Sequence, residues 1–156
     1  MTRCREKRFR ILLCGVAGLV LSGLSLVAPL KSGAEDKAGP PWIAPADARA
    51  IKNPLKNTPD VVSAGAESFR ENCQVCHGLH GEGNGPTAKT LTIKPANFAD
   101  ARLMSKETDG SLFWKMSKGR GAMPAWEDQL SEKERWELVI YIRSFEGKGG
   151  GAKKAE

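Results

Sequence analysis

Apolar residues recur at helical spacing in three stretches of this chain, and no stretch alternates as a strand would. In the first, Val62, Ala66, Phe69 and Cys73 fall at i, i+4, i+7 and i+11, which puts them on one face. Thr58 is suited to cap this helix, and Pro59 to occupy its first position. The second is shorter, with Asp109 expected as cap, Leu112, Phe113 and Met116 as the buried face and Gly119 as terminator. The third opens on a capping box, Ser131-Glu-Lys-Glu134; it carries Leu138, Tyr141, Ile142 and Phe145 on its apolar face, and Gly147 is expected to end it. An all-α domain over residues 58–146 follows.

The remaining segments frame that domain. Pro40, Pro41, Pro45 and Pro54 break up residues 35–57, so an extended segment lying over the domain is expected there, pinned by Trp42. The Gly/Lys/Ala-rich stretch 147–156 is expected to be a disordered tail. No internal repeat is visible. Between Gly78 and Lys106 the pattern fades, and a loop of that length in a small domain needs something large to organise it.

Charge changes the picture only at the amino terminus. The formal charge is +6, but residues 1–34 hold six Lys/Arg against one Glu, leaving about neutral balance in the rest. Without clustered cations and interleaved aromatics, no nucleic-acid footprint remains. The cationic start, the uncharged apolar run from Ile11 to Leu30 and Ser32-Gly33-Ala34 together read as an export leader. The run is close to bilayer-spanning length, so an uncleaved anchor is the alternative. Gly15, Gly18, Gly23, Ser22, Ser25 and Pro29 dilute it, which favours cleavage after Ala34. The absence of a consecutive Arg pair argues against export in the folded state, and Leu13 before Cys14 argues against a lipid-bearing cysteine. A periplasmic location is expected, with membrane attachment only if the leader persists.

Cys4 and Cys14 belong to that leader, so the exported part keeps Cys73 and Cys76. Their spacing, with His77 next, is the C-x-x-C-H haem-attachment pattern. Two residues between the sulfurs match the spacing of the two porphyrin vinyl groups, and the adjacent imidazole reaches the iron from the same side. A thioredoxin-like redox pair would want a βαβ context that is absent. Zinc would need two more ligands, and His80 cannot easily join three others within eight residues. One covalently attached haem c is therefore expected, and its bulk would supply apolar core that this chain lacks.

A sixth iron ligand has to come from the opposite face, hence from a distant segment. His80 is only three residues past His77 and reads as a solvated loop histidine. A methionine thioether suits the reduced iron. Met123 lies in Gly119-Arg-Gly-Ala-Met-Pro-Ala-Trp126, an irregular loop with Pro124 fixing the backbone behind it. Met116 reads as core beside Leu112, and Met104, in a segment without a clear pattern, is the competitor.

The residues from Val61 to Phe145 resemble the class I, mitochondrial-type cytochromes c, particularly small bacterial periplasmic ones. Cys73-Gln-Val-Cys-His-Gly-Leu-His-Gly-Glu-Gly-Asn-Gly-Pro86 is similar to their C-x-x-C-H-G-x-x-G-x-G-x-G-P signature, and Gly121-Ala-Met-Pro-Ala-Trp126 to their methionine loop. The resemblance implies a cytochrome c fold, three to five short helices wrapped around one haem. It also implies that the Pro86 carbonyl accepts the Nδ1 hydrogen of His77. Gly65 and Phe69 would cross Leu138 and Tyr141 where the terminal helices meet, and Phe98, in Lys94-Pro-Ala-Asn-Phe98, would pack on the haem edge.

With His77 and Met123 both on the iron no open position remains, so the expected role is a monomeric single-electron carrier between a redox donor and acceptor, not an enzyme. A fixed subunit of a membrane or periplasmic oxidoreductase and a gas-binding haem domain are the alternatives. Residues 86–126 sum to +4 and residues 127–146 to −3. Lys115 and Lys118 are therefore candidates for a docking face that attracts an acidic partner.

Overall fold

A computed structural model describes residues 41–146; the expected leader, the first residues of the proline-rich segment and the expected tail lie outside the described residues. Six α-helices occur among the described residues: α1 (Ala46–Ala50), α2 (Pro59–Asn72), α3 (Gln74–His77), α4 (Ala101–Met104), α5 (Asp109–Lys118) and α6 (Glu132–Arg143). A 3₁₀ turn, Pro86–Thr90, lies between α3 and α4. The three longest are those read from the apolar spacing. The three short ones take the count past the three to five expected. Among the described residues no helix is long and apolar enough to cross a membrane.

Local chemistry sets the ends of α2. Thr58 accepts from the Val61 amide, and Pro59 stands at the first position, where its missing N–H costs nothing. Phe69 is 1% exposed and Gly65 is buried, and this face crosses α6. A Cβ on Gly65 would collide with the Glu137 carbonyl and come within 2.9 Å of the Tyr141 Cβ, so only glycine permits this approach. The Phe69 ring lies 5.4 Å from that of Tyr141 and 5.2 Å from that of Phe145. Such ring pairs add about 0.5–1.5 kcal/mol each beyond the area they bury.

α6 carries its capping box in full, with Ser131 and Glu134 exchanging side-chain and backbone bonds. It stops at Arg143, ahead of Gly147: the Ser144 amide bonds Tyr141 O and the Phe145 amide bonds Ile142 O, tightening the last turn. Arg143 ties this end to the α4–α5 junction through Asp109 Oδ1 at 2.8 Å and Met104 O at 3.1 Å. The cap of α5 is Thr108, one residue before the expected Asp109; Thr108 accepts from the Ser111 amide, and Asp109 sits in the first turn, where its charge favours the positive end of the helix dipole.

Residues 41–57 hold a short helix where the prolines suggested an extended chain. α1 packs on α5, Ala44 and Ala48 are buried, and Asn53 donates to Trp136 O on α6 at 3.0 Å. The core joins Phe69, Phe98, Met104, Leu112, Met116, Trp136, Leu138, Val139, Ile142 and Phe145; Cys73 and Met123 both pack against it from its margin.

Candidate functional site

Cys73 stands at the corner where α2 ends and α3 begins. Its carbonyl accepts from the Cys76 amide at 3.1 Å and from the His77 amide at 2.9 Å, so one helical turn gathers both thiols and the imidazole. The following loop folds back onto that turn: Gly83 N bonds His77 O at 2.8 Å, and Gly85 N bonds Cys76 O at 3.1 Å.

Both thiols are unpaired. Burial, followed by the nearby Cys76, pushes the Cys73 thiol up to about 12. A dithiol exchange catalyst needs the opposite, a thiolate stabilised near neutral pH. Among the described residues no group of three or more His, Cys, Asp or Glu side chains could hold a metal ion, so the zinc alternative lacks its ligands.

His77 is 9% exposed. Burial lowers its pKa, outweighing the hydrogen bond to Ala96 that raises it, so the ring is neutral at physiological pH. Nδ1 lies 3.2 Å from the Ala96 carbonyl oxygen. A carbonyl can only accept, so the proton sits on Nδ1 and the lone pair on Nε2. The Phe98 ring stacks on the imidazole at 4.5 Å and 13°, which fixes its plane.

Ala96 therefore takes the part expected of Pro86. Pro86 opens the 3₁₀ turn, while the chain beyond it returns toward α3: Lys94 Nζ donates to Ala88 O at 2.8 Å, and Phe98 N bonds Gly81 O at 2.7 Å. That return brings the Ala96 carbonyl to the ring. Phe98 lies in the expected segment but contacts the imidazole directly. A main-chain carbonyl leaves no mark on residue identity, so nothing in the sequence pointed toward Ala96.

The methionines separate by burial. Met104 on α4 is 0% exposed and Met116 on α5 is 4% exposed, both enclosed by protein atoms in the core. Met123 is half-buried in the loop after α5, held by paired backbone bonds with Arg120: Arg120 N to Met123 O at 2.9 Å and Met123 N to Arg120 O at 3.1 Å. His80 is exposed. Two unpaired thiols, a neutral imidazole with its lone pair on Nε2 and a thioether bordering the same core form a donor set that fits haem c.

The expected docking lysines are engaged. Lys115 pairs with Glu107 and its side chain is 17% exposed; Lys118 pairs with Glu127 at 2.8 Å. Pairing of this kind was not visible in a summed charge; it takes Lys115 out of a free positive face, whereas the Lys118 side chain stays 51% exposed.

Residues 60–142, just over half the chain, match the family described as cytochrome c oxidase, cbb3-type, subunit III. The chain is 32% identical over 90 residues to the cbb3-type cytochrome c oxidase subunit FixP of a Bradyrhizobium species, covering 57% of this chain but only 28% of FixP. It is 34% identical over 86 residues to cytochrome c6 of Euglena viridis, covering 52% of this chain and 88% of that protein. Among solved structures, the reducing HAO-like protein complex of Kuenenia stuttgartiensis is similar, with a TM-score of 0.53, 28% identity, and coverage of 62% of this chain and 49% of that one. The α2–α6 crossing, the Cys73–His77 turn and these likenesses agree, and the chain belongs to the class I c-type cytochromes, as a domain like those of cbb3 oxidase subunit III and cytochrome c6.

Proposed function

We propose that this chain is an exported carrier of single electrons between redox proteins of the periplasm, with one haem c held covalently by Cys73 and Cys76 and ligated by His77 and Met123. The observation that carries the reading is the bond from His77 Nδ1–H to the Ala96 carbonyl, which orients a buried neutral ring with its lone pair on Nε2 beside two unpaired thiols. When bound, the haem supplies a one-electron ferric–ferrous couple.

Each residue then has a physical task. Ala96 and Phe98 hold the imidazole against rotation, which keeps the ligand geometry the same in both oxidation states. Met123 offers a neutral, soft sulfur that favours the lower oxidation state. The buried cluster around Phe69, Leu138 and Phe98 keeps water away from the site and so lowers the reorganisation that electron transfer requires. The basic start and apolar run of residues 1–34 support export.

Likeness to FixP favours a second reading, a fixed electron-transfer subunit. The likeness to cytochrome c6 of Euglena viridis, at 34% identity over 86 residues, supports the separate carrier.

A redox titration of the holoprotein, paired with a carbon monoxide difference spectrum of the reduced form, tests the carrier reading. The expected result is a reversible one-electron curve and no carbon monoxide complex at neutral pH. A wild-type protein that binds carbon monoxide readily has an open iron position, and a gas-binding role replaces the carrier.

A further inference from the structure

We propose that the segment ahead of the family domain is a clamp on the methionine loop, in which Trp42 acts as a positioning residue that holds Met123 through Arg120. The inference rests on Met123 being the iron ligand. Residue 42 lies outside the matched residues 60–142, so the clamp would be a device of this chain's own extension.

The Arg120 guanidinium carbon lies 5.0 Å from the centre of the Trp42 ring, and Lys115 Nζ lies 5.8 Å from the same centre. Trp42 thus covers two cations that flank the end of α5. Arg120 is joined to Met123 by backbone bonds in both directions, so a displacement of Arg120 is passed directly to the residue carrying the thioether. Beyond that pair the loop has little cover: Gly121 and Ala122 are exposed, and a Cβ on Gly121 would meet nothing within 4 Å. Its far end is fixed separately, by Trp126 N on Met116 O at 3.2 Å.

A clamp works only if its own base is fixed. The Ala48 carbonyl sits so close to Gly110 on α5 that any side chain there would collide with it. Thr108 Oγ1 donates to Arg49 O at 2.8 Å, and Asn53 donates to Trp136 O at 3.0 Å. The extension is therefore tied to α5 and α6, the elements on either side of the loop. Met123 meets the iron through a weak bond, so restraint of the loop shifts the balance between the ligated and the displaced thioether. A cation–π contact on a partly buried Trp is worth a change of about five-fold in such an equilibrium.

The test uses the oxidised holoprotein and titrates imidazole, which competes with Met123 for the iron, following the weak red charge-transfer band of thioether ligation. Trp42→Ala is expected to bind imidazole about five-fold more tightly than wild type, and Trp42→Phe, which keeps a π face, within about two-fold of it. Arg120→Met is expected to tighten binding by itself and to reduce the further effect of Trp42→Ala to what passes through Lys115, because Trp42 and Arg120 share a contact. Wild-type affinity in Trp42→Ala, or full additivity with Arg120→Met, would overturn the clamp while leaving the ligand assignment standing. A wild-type protein without the red band would overturn the ligand assignment, and the clamp with it.

Discussion

Replacing Cys73 and Cys76 together by serine is expected to leave the chain without retained haem and largely unfolded. Serine nearly preserves volume, so packing around the α2–α3 corner is barely altered; what changes is the capacity to form thioether bonds. The loop from Gly78 to Lys106 has only a 3₁₀ turn and the four-residue α4 as regular structure, and its bonds to Cys76 O and His77 O hang on the turn that bears the thiols. A domain of this size buries a modest fraction of its surface, so losing a cofactor that fills part of the core removes a large share of its stability. Acid–acetone extraction and circular dichroism read both effects. Haem that survives extraction in the double variant, or a native helical signal without it, would refute the assignment.

Met123→Ala is expected to remove the red charge-transfer band, open the iron to carbon monoxide and lower the potential. A drop on the order of 100 mV is modest against the roughly 0.8 V that axial ligands span. For a one-electron couple it is still a roughly fifty-fold change in the oxidised-to-reduced ratio. Met116→Leu should keep the band, since Met116 is a core residue and leucine nearly matches its volume. Loss of the band in Met104→Ala together with its survival in Met123→Ala would reverse the ligand assignment.

The parts of this fold that sequence made legible are those governed by local chemistry. Thr58-Pro59 and Ser131-Glu-Lys-Glu134 carry their caps within four residues, and both helices start where those caps require. At α5 two capping residues stand side by side, and choosing Asp109 over Thr108 displaced the start by one. α1 escaped notice because its five residues are held by a distant partner, Gly110 on α5, and the chain just after it by the bond from Asn53 to Trp136 O on α6, neither of which a local pattern records. The site divides in the same way. Cys73, Cys76 and His77 announce themselves by spacing, whereas the partner of His77 is a main-chain oxygen nineteen residues away. The ion pair of Lys115 with Glu107 belongs to neither class: the two residues are near in sequence, but a helix start between them decides whether they meet.

Intact-mass spectrometry of the chain purified from the periplasm of a host with haem-attachment machinery, followed by fragmentation, tests the central claim most directly. The account predicts one haem per polypeptide, retained under denaturing conditions, with the added mass confined to the peptide containing Cys73, Cys76 and His77. An unmodified polypeptide from such a host, or a Cys73–Cys76 disulfide in place of the added mass, would contradict it.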